Sequence, residues 1–198
     1  MLTAHSTDPV DVFLAVWARV QTTAPEGLDP TTVALSTADV TGSPSVRMVL
    51  LRRVDRDGFV FHTNYRSRKA RDLESNPRAA LCCFWYWLKQ QARIEGRVVR
   101  TTADESDAYF ASRPRGAQLG AWASPQSQPL ASRAELEAHV VAFDAQHADQ
   151  RVPRPEFWGG YRLIPDRIEF WEEGPFRLHD RFVFIWVADR WVRQRLAP

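Results

Sequence analysis

The chain has only two cysteines in 198 residues, Cys82 and Cys83, and they are adjacent. Neighbours in a strand point to opposite faces, so the pair supports neither a disulfide framework nor a thiolate metal site. Both read as structural core thiols. The five histidines show no metal-ligand spacing, and no glycine-rich loop matches a dinucleotide or triphosphate fingerprint. No apolar run is long enough to span a bilayer, so no membrane association is expected. The start, Met1 to Pro9, has neither the basic region nor the apolar stretch of a secretory leader, which places the expectation in the cytoplasm. Net charge is nearly absent too: 26 basic against 24 acidic residues leave +2, too balanced for a general nucleic-acid surface. Without repeats, low-complexity tracts or a linker between different compositions, residues 1–198 read as one domain.

What the chain does have is apolar and aromatic residues, 44% and 12% of the total, with eight tryptophans to build a core. Asp11 to Val20 carries Val12, Phe13, Val16, Trp17 and Val20 at helical spacing, which predicts an N-terminal helix near 11–20. Strand-like runs follow at 32–37, 45–53 and 59–63, with Gly42-Ser43-Pro44 and Asp55-Arg56-Asp57-Gly58 between them as turns, the pattern of an antiparallel meander. Further strands are expected at 81–87, 92–99, 156–163, 167–171, 177–187 and 191–196. Ser67, Thr102 with Glu105, and Ser132 with Glu135 mark three helix starts, the last with Leu136, Val140 and Phe143 as its buried stripe. Many short strands with few helices between them define the fold class: mainly β with flanking helices, a closed or partly closed barrel.

Several cations admit a reading beyond plain solvation. Thr63 to Lys69 leads from a strand into a helix whose first amides lack intrahelical acceptors, and Arg68 and Lys69 oppose the helix dipole there unless an anion binds. Phosphate is the favoured anion over a solvated helix start. Arg47 lies in an apolar strand that reads as central; it needs either a core carboxylate such as Glu95 or Glu169, or the same phosphate. Tyr109 and Arg113 are spaced i, i+4, suited equally to a phosphate or to a surface cation–aromatic pair. In an extended strand Arg177, His179 and Arg181 share a face, successive members about 7 Å apart. That face is either an anion site or a row of solvated charges. Gln91 and Gln126-Ser127 can bond a heteroaromatic ring or a phosphate, but spacing alone assigns them nothing.

Arg47-Met48-Val49-Leu50-Leu51, Thr63-Asn64 with Ser67-Arg68-Lys69, Ser112-Arg113-Pro114-Arg115, Gln118-Leu119-Gly120-Ala121-Trp122, Phe157-Trp158-Gly159-Gly160, Arg177-Leu178-His179-Asp180-Arg181 and Arg195-Leu196-Ala197-Pro198 together resemble the pyridoxine (pyridoxamine) 5'-phosphate oxidases, in order from about Asp8 to Pro198. The resemblance implies an FMN-binding split β-barrel acting as a homodimer, with flavin sites between the subunits. It implies that Arg47, Met48, Val49, Leu50, His62, Thr63, Arg68, Lys69 and Gln91 hold FMN from one subunit. Gln126, Ser127, Trp171 and Arg181 complete that site, some of them from the partner chain. Arg52, Tyr109, Arg113, Arg177 and His179 match substrate contacts, Arg177 and His179 being the catalytic pair. The implied reaction oxidises a small phosphorylated pyridine, with molecular oxygen as acceptor and hydrogen peroxide as product. Arg52 stands where the family usually has Lys, His62 where it has Tyr and Ala117 where it has a phosphate-donating Ser, and the N-terminal Arg and Tyr segment that often covers the substrate is missing. A flavin oxidase of the phenazine-biosynthesis type, or a binding protein without turnover, are therefore the alternatives.

Overall fold

In this computed structural model, residues 7–148 and 150–198 are described; Met1 to Ser6, most of the segment read for a leader, lie outside them. The first helix, α1 (Pro9–Thr23), starts earlier than its apolar spacing suggested. Asp8 caps it by accepting from the Val10 amide at 2.8 Å, and Pro9 occupies a first-turn position where no amide hydrogen is needed. Its inward face, Val12, Phe13, Val16 and Val20, enters the main core. There the Phe13 ring meets Phe59 edge-on at 4.9 Å and Trp85 at 5.9 Å.

Eight strands follow the expected turns: β1 (Thr32–Ala38), β2 (Pro44–Asp55), β3 (Gly58–Asn64), β4 (Arg78–Trp85), β5 (Gln90–Arg100), β6 (Trp158–Glu172), β7 (Asp180–Val187) and β8 (Arg190–Leu196). They pair antiparallel in the order β3-β2-β1-β4-β5-β6-β7-β8, and an added β3–β6 pairing closes the first six into a barrel. The alternating buried residues Val33, Leu35, Phe59, Phe61, Leu81, Ile94 and Leu163 fill it. Gly58, at φ 134°, makes the β2–β3 turn where a Cβ would meet the Leu163 carbonyl oxygen at 2.2 Å.

Three expectations are corrected. The runs at 156–163 and 167–171 form one strand, β6, whose first half pairs with β3 and second half with β7 while β5 lines its other edge. Pro165 is accommodated by a register shift at Glu95/Gly96, and Gly96 is needed because a Cβ there would lie 2.0 Å from the Ile164 carbonyl oxygen. β7 begins at Asp180, not Arg177: Pro175–Arg177 form a short 3-10 turn with Phe176 and Arg177 at φ 56° and 63°. Arg177, His179 and Arg181 therefore do not share a strand face. Finally, β2 meets β3 only from Leu51 onward, so residues 44–50 leave an open edge, and Val46 and Met48 on this strand are 69% and 61% exposed.

Helices cover the barrel: α2 (Arg68–Ser75), α3 (Ala103–Ser112), α4 (Arg115–Ala123) and α5 (Arg133–Gln146). The Thr102–Glu105 capping box forms in full. At Ser132 only half of it forms, because the Glu135 carboxylate takes the Ala131 amide instead. No α5 residue is fully buried; Val140 and Phe143 pack, half-buried, on a second core of Phe110, Leu119, Val152 and Trp158. Among the described residues no helix is long and apolar enough to cross a membrane.

Phe13 is fully buried and joins α1 to the barrel. Phe13→Ala should lower unfolding stability by about 3–5 kcal/mol, read from urea denaturation; a loss well below that would mean α1 contributes little to the core.

Candidate active site

β2's open edge, β3 and the N-terminus of α2 form one wall of a cleft of about 460 Å³, and the α3–α4 junction forms the other. Lys69, in the first turn of α2, points into it. Its ammonium donates to Thr63 Oγ1 (3.0 Å), Ser67 Oγ (3.3 Å) and Gln126 Oε1 (2.8 Å), all neutral oxygens. Burial, with the Arg47 guanidinium nearby, pushes its pKa down to about 8 despite Asp72 opposing the shift. Arg47 also lines the cleft, and its partners are Thr37 Oγ1 at 2.6 Å, Ser45 Oγ at 2.7 Å, the Leu35 carbonyl at 3.3 Å and Asp72 at 3.6 Å. Glu95 and Glu169, the carboxylates expected for it, pair elsewhere.

At the other wall Tyr109 and Arg113 lie together as their spacing predicted, with Arg52 across from them. Arg113 stacks over Trp158 at 4.7 Å, and its buried Nη1 has no hydrogen-bond partner among the described residues. His62 stacks on Tyr109 at 4.0 Å and lies nearly parallel to Trp158 at 5.4 Å. It faces Gly160 across the β3–β6 ladder, where a Cβ would come within 3.0 Å of Nε2. Neither imidazole nitrogen has a hydrogen-bond partner among the described residues. Burial first, then Arg113 and Arg52, push its pKa down to about 4, so the ring is neutral at physiological pH.

The cleft thus gathers Arg47, Met48, Val49, Leu50, Arg52, His62, Thr63, Lys69, Tyr109, Arg113, Ala117 and Gln126 in one chain. Arg68 is exposed and outside its lining, as is Ser127, which sits at φ 68°. A second group forms where β5, β6 and β7 run side by side. Trp171 has Gln91 and Arg181 as its register partners, and His179 packs on its ring at 4.7 Å. The His179 Nδ1 accepts from the Gly174 amide at 3.2 Å. Arg181 grips Glu169 Oε1 with Nε (3.0 Å) and Nη2 (2.8 Å) and also donates to the Ala197 carbonyl. Arg177 is exposed on the preceding turn.

Trp158 and Trp171 stand at opposite ends of β6, thirteen residues apart, or about 40 Å along an extended strand. The two groups cannot surround one small ligand within a single chain. Trp158 and Pro114 were not foreseen as cleft residues; Phe157-Trp158-Gly159-Gly160 was visible as a motif, but a Trp beside two glycines signals close packing as readily as a binding wall.

A cleft lined by desolvated cations and stacked rings, carried on a closed antiparallel barrel, has the shape and charge that suit a small anionic aromatic molecule. Residues 23–147 match the family described as Pyridoxamine 5'-phosphate oxidase, and residues 158–198 match the Pyridoxine 5'-phosphate oxidase C-terminal dimerisation region. The chain belongs to the pyridoxamine 5'-phosphate oxidase family. It is 52% identical over 191 residues to a Pyridoxine/pyridoxamine 5'-phosphate oxidase of Anaeromyxobacter dehalogenans (strain 2CP-C), covering 96% of each chain. It is also 52% identical over 191 residues to one from Thermosynechococcus vestitus (strain NIES-2133 / IAM M-273 / BP-1), covering 96% of this chain and 89% of that one. Among solved structures, PhzG from Burkholderia lata 383 in complex with tetrahydrophenazine-1-carboxylic acid superposes with a TM-score of 0.92 at 29% identity, over 98% of this chain and 95% of the other.

His62 yields a pH signature. Its folded pKa of about 4 lies below the ordinary 6.5, so the unfolded chain binds the proton first as pH falls. Its contribution is complete above about pH 6.5 and is lost towards pH 4, by up to about 3 kcal/mol. His62→Phe should flatten that part of the melting-temperature profile between about pH 4.5 and 7; an unchanged slope would show that His62 is not buried as a neutral ring.

Proposed function

We propose that this chain is an FMN-dependent oxidase that converts pyridoxine 5'-phosphate or pyridoxamine 5'-phosphate to pyridoxal 5'-phosphate, with oxygen as acceptor and hydrogen peroxide as product. The observation that carries this reading is the Lys69 ammonium, half-buried beside Arg47 and bonded only to neutral oxygens. Such a pair is stabilised by a dianion entering the cleft, and a terminal phosphomonoester is one. The residues therefore fit FMN. Arg47, Lys69, Thr63 and Gln126 would hold its phosphate end, with Arg68 adding charge from outside. Met48, Val49 and Leu50 offer an open strand edge to the ring, beside His62.

Gln91, Trp171, Arg181 and Ser127 are read as the remaining flavin contacts, and Arg177 and His179 as contacts to the reacting ring. Since β6 keeps Trp171 far from Trp158, we place the second group of one subunit against the cleft of its partner in a homodimer. The match of residues 158–198 to a dimerisation region and the exposed Val46 and Met48 support this. Gln91 departs from the grouping first implied for it, because it pairs with Trp171 in the second group and does not line the cleft with Arg47 and Lys69, whereas Gln126 meets Lys69 within its own chain.

A bound flavin supplies the capacity to take a hydride equivalent from the substrate and pass two electrons to oxygen. The chain's own part is binding and orientation. Arg113, with its unpaired Nη1, and Arg52 receive the substrate phosphate; Tyr109 and neutral His62 form its flat wall. His179, already oriented by the Gly174 amide on Nδ1, is free to bond the substrate ring through Nε2.

Lys69→Ala should weaken FMN binding by about tenfold or more, read by flavin fluorescence on the apoprotein. Arg177→Ala and His179→Ala should keep FMN but lose peroxide formation from pyridoxine 5'-phosphate, lowering turnover rather than flavin content. A flavin-free wild-type protein, or variants with unaltered turnover, would defeat the assignment. A second reading rests on Ala117, which lines the cleft and has no hydroxyl to offer a substrate phosphate. If neither the wild type nor Ala117→Ser oxidises the phosphorylated vitamers while a reduced tricyclic substrate yields peroxide, the phenazine-type oxidase replaces the vitamin oxidase. Gain of vitamer oxidation in Ala117→Ser would favour the first.

A further inference from the structure

Asp72 follows Lys69 by three positions on α2, so the two side chains share a helix face. It is 6% exposed and does not line the cleft. Its Oδ2 accepts the Thr37 hydroxyl at 2.6 Å. The same Thr37 oxygen accepts from Arg47 Nη1 at 2.6 Å, and Arg47 Nη2 stands 3.6 Å from the carboxylate. Three elements meet in this relay: α2 supplies the anion, β1 the hydroxyl and β2 the guanidinium.

We propose that Asp72, acting through Thr37, is a positioning residue for the phosphate end of the flavin site, holding the Arg47 guanidinium at the cleft beside Lys69. The proposal rests on the flavin reading above and concerns how its cation pair is kept in place. A free Arg47 side chain beside a second cation would swing outward, because its long stem permits it and repulsion favours it. The relay opposes that, alongside the Leu35 carbonyl and the Ser45 hydroxyl, which also accept from Arg47 but carry no charge. Thr37 is 2% exposed and presents its hydroxyl in one direction only, taking the Arg47 proton while giving its own to Asp72. Asp72 also acts on Lys69. The charged groups facing that ammonium are Arg47 from β2 and Asp72 from its own helix, while Thr63, Ser67 and Gln126 contribute neutral oxygens. Of these only Asp72 favours the protonated form by its charge. It is thus a counter-ion set behind the two cations, leaving their front free for a ligand.

The hydroxyl gives the cleanest test, since changing it alters no charge. Apoprotein of Thr37→Val should bind FMN about tenfold or more weaker than wild type, while its affinity for riboflavin, which lacks the phosphate, stays unchanged. Thr37→Ser should restore wild-type FMN binding. Asp72→Asn should repeat the FMN-selective loss, deepening more than wild type from about pH 7 to about pH 9 as Lys69 gives up its proton earlier. Equal losses for FMN and riboflavin would reduce the relay to an anchor of α2 on β1 and overturn the proposal. So would unchanged FMN affinity in Thr37→Val, or tighter FMN binding in Asp72→Asn, which would make the carboxylate a repelling charge. If Asp72→Asn does not fold, the Thr37 pair decides. A wild-type chain that binds FMN no better than riboflavin would instead overturn the phosphate reading of Lys69 and Arg47 itself.

Discussion

Everything that positions this cleft depends on β6 pairing with two strands along one edge. Its first half holds β3 and closes the barrel, which sets His62 and Thr63 opposite Gly160 and Gly159 and lays the His62 ring beside Trp158. Its second half holds β7 and so orients Arg181 and His179 around Trp171. The β5 ladder along the opposite edge keeps the strand in one piece across Pro165. A strand long enough to do both separates its ends by about 40 Å. The same hydrogen bonds that build each group of site residues therefore prevent the two from meeting in one chain. A site needing both has to be completed by a second copy, and two-fold symmetry supplies two such sites at once.

The carboxylates show how the cations are kept. Glu169 is 2% exposed and takes Arg93, Arg167 and Arg181 on its two oxygens. Burial would raise its pKa, yet hydrogen bonds from Arg181 and Arg93 outweigh that and hold it below the usual carboxylate range. Asp72 does the corresponding work for Arg47. In both places one buried anion serves more cations than it can neutralise, so the surplus positive charge is directed rather than scattered. Arg162 is a contrast: it spans Asp55 and Glu105, both charges satisfied, and ties β6 to β2 and α3 as structure alone.

How far could the sequence be read? The β1–β3 meander, the Thr102 capping box and α1 were legible because turn residues, caps and apolar period act over a few positions. Arg47 and Lys69 were legible as misfits, one in an apolar strand and the other opposed by a helix dipole, although Arg68, read the same way, lies outside the cleft; Arg113 was visible only as half of an i, i+4 pair, and Arg52 only through the family resemblance. What escaped depends on distant partners. Arg47 was read as needing either a sheet carboxylate such as Glu95 or Glu169 or a phosphate; the carboxylate beside it is Asp72 on a helix, and no spacing rule links positions 47 and 72. α4 was missed because Gly116 and Gly120 depress helix propensity, which packing of Leu119 and Gln118 overrides. The left-handed Phe176 and Arg177 broke a strand whose alternation looked continuous, since a period of two says nothing about φ.

The cleft destabilises its own charges, and that bears on what it is for. Arg47, Lys69 and Arg113 all have pKa values lowered with burial as the largest cause, although the rest of the fold pairs most of its basic groups with carboxylates at the surface. His62 is held neutral by the same burial, with Arg113 and Arg52 adding to it. A fold selected for stability alone would place a carboxylate in front of Lys69 or let water reach it. Here the carboxylate stands behind, the oxygens in front are neutral, and the flat rings of His62, Tyr109 and Trp158 stack along another side of the cleft. Anion binding returns the desolvation free energy already spent in folding, with little further reorganisation. A ring wall beside paired cations suits an anion attached to something planar, so charge and stacking read as a single recognition surface.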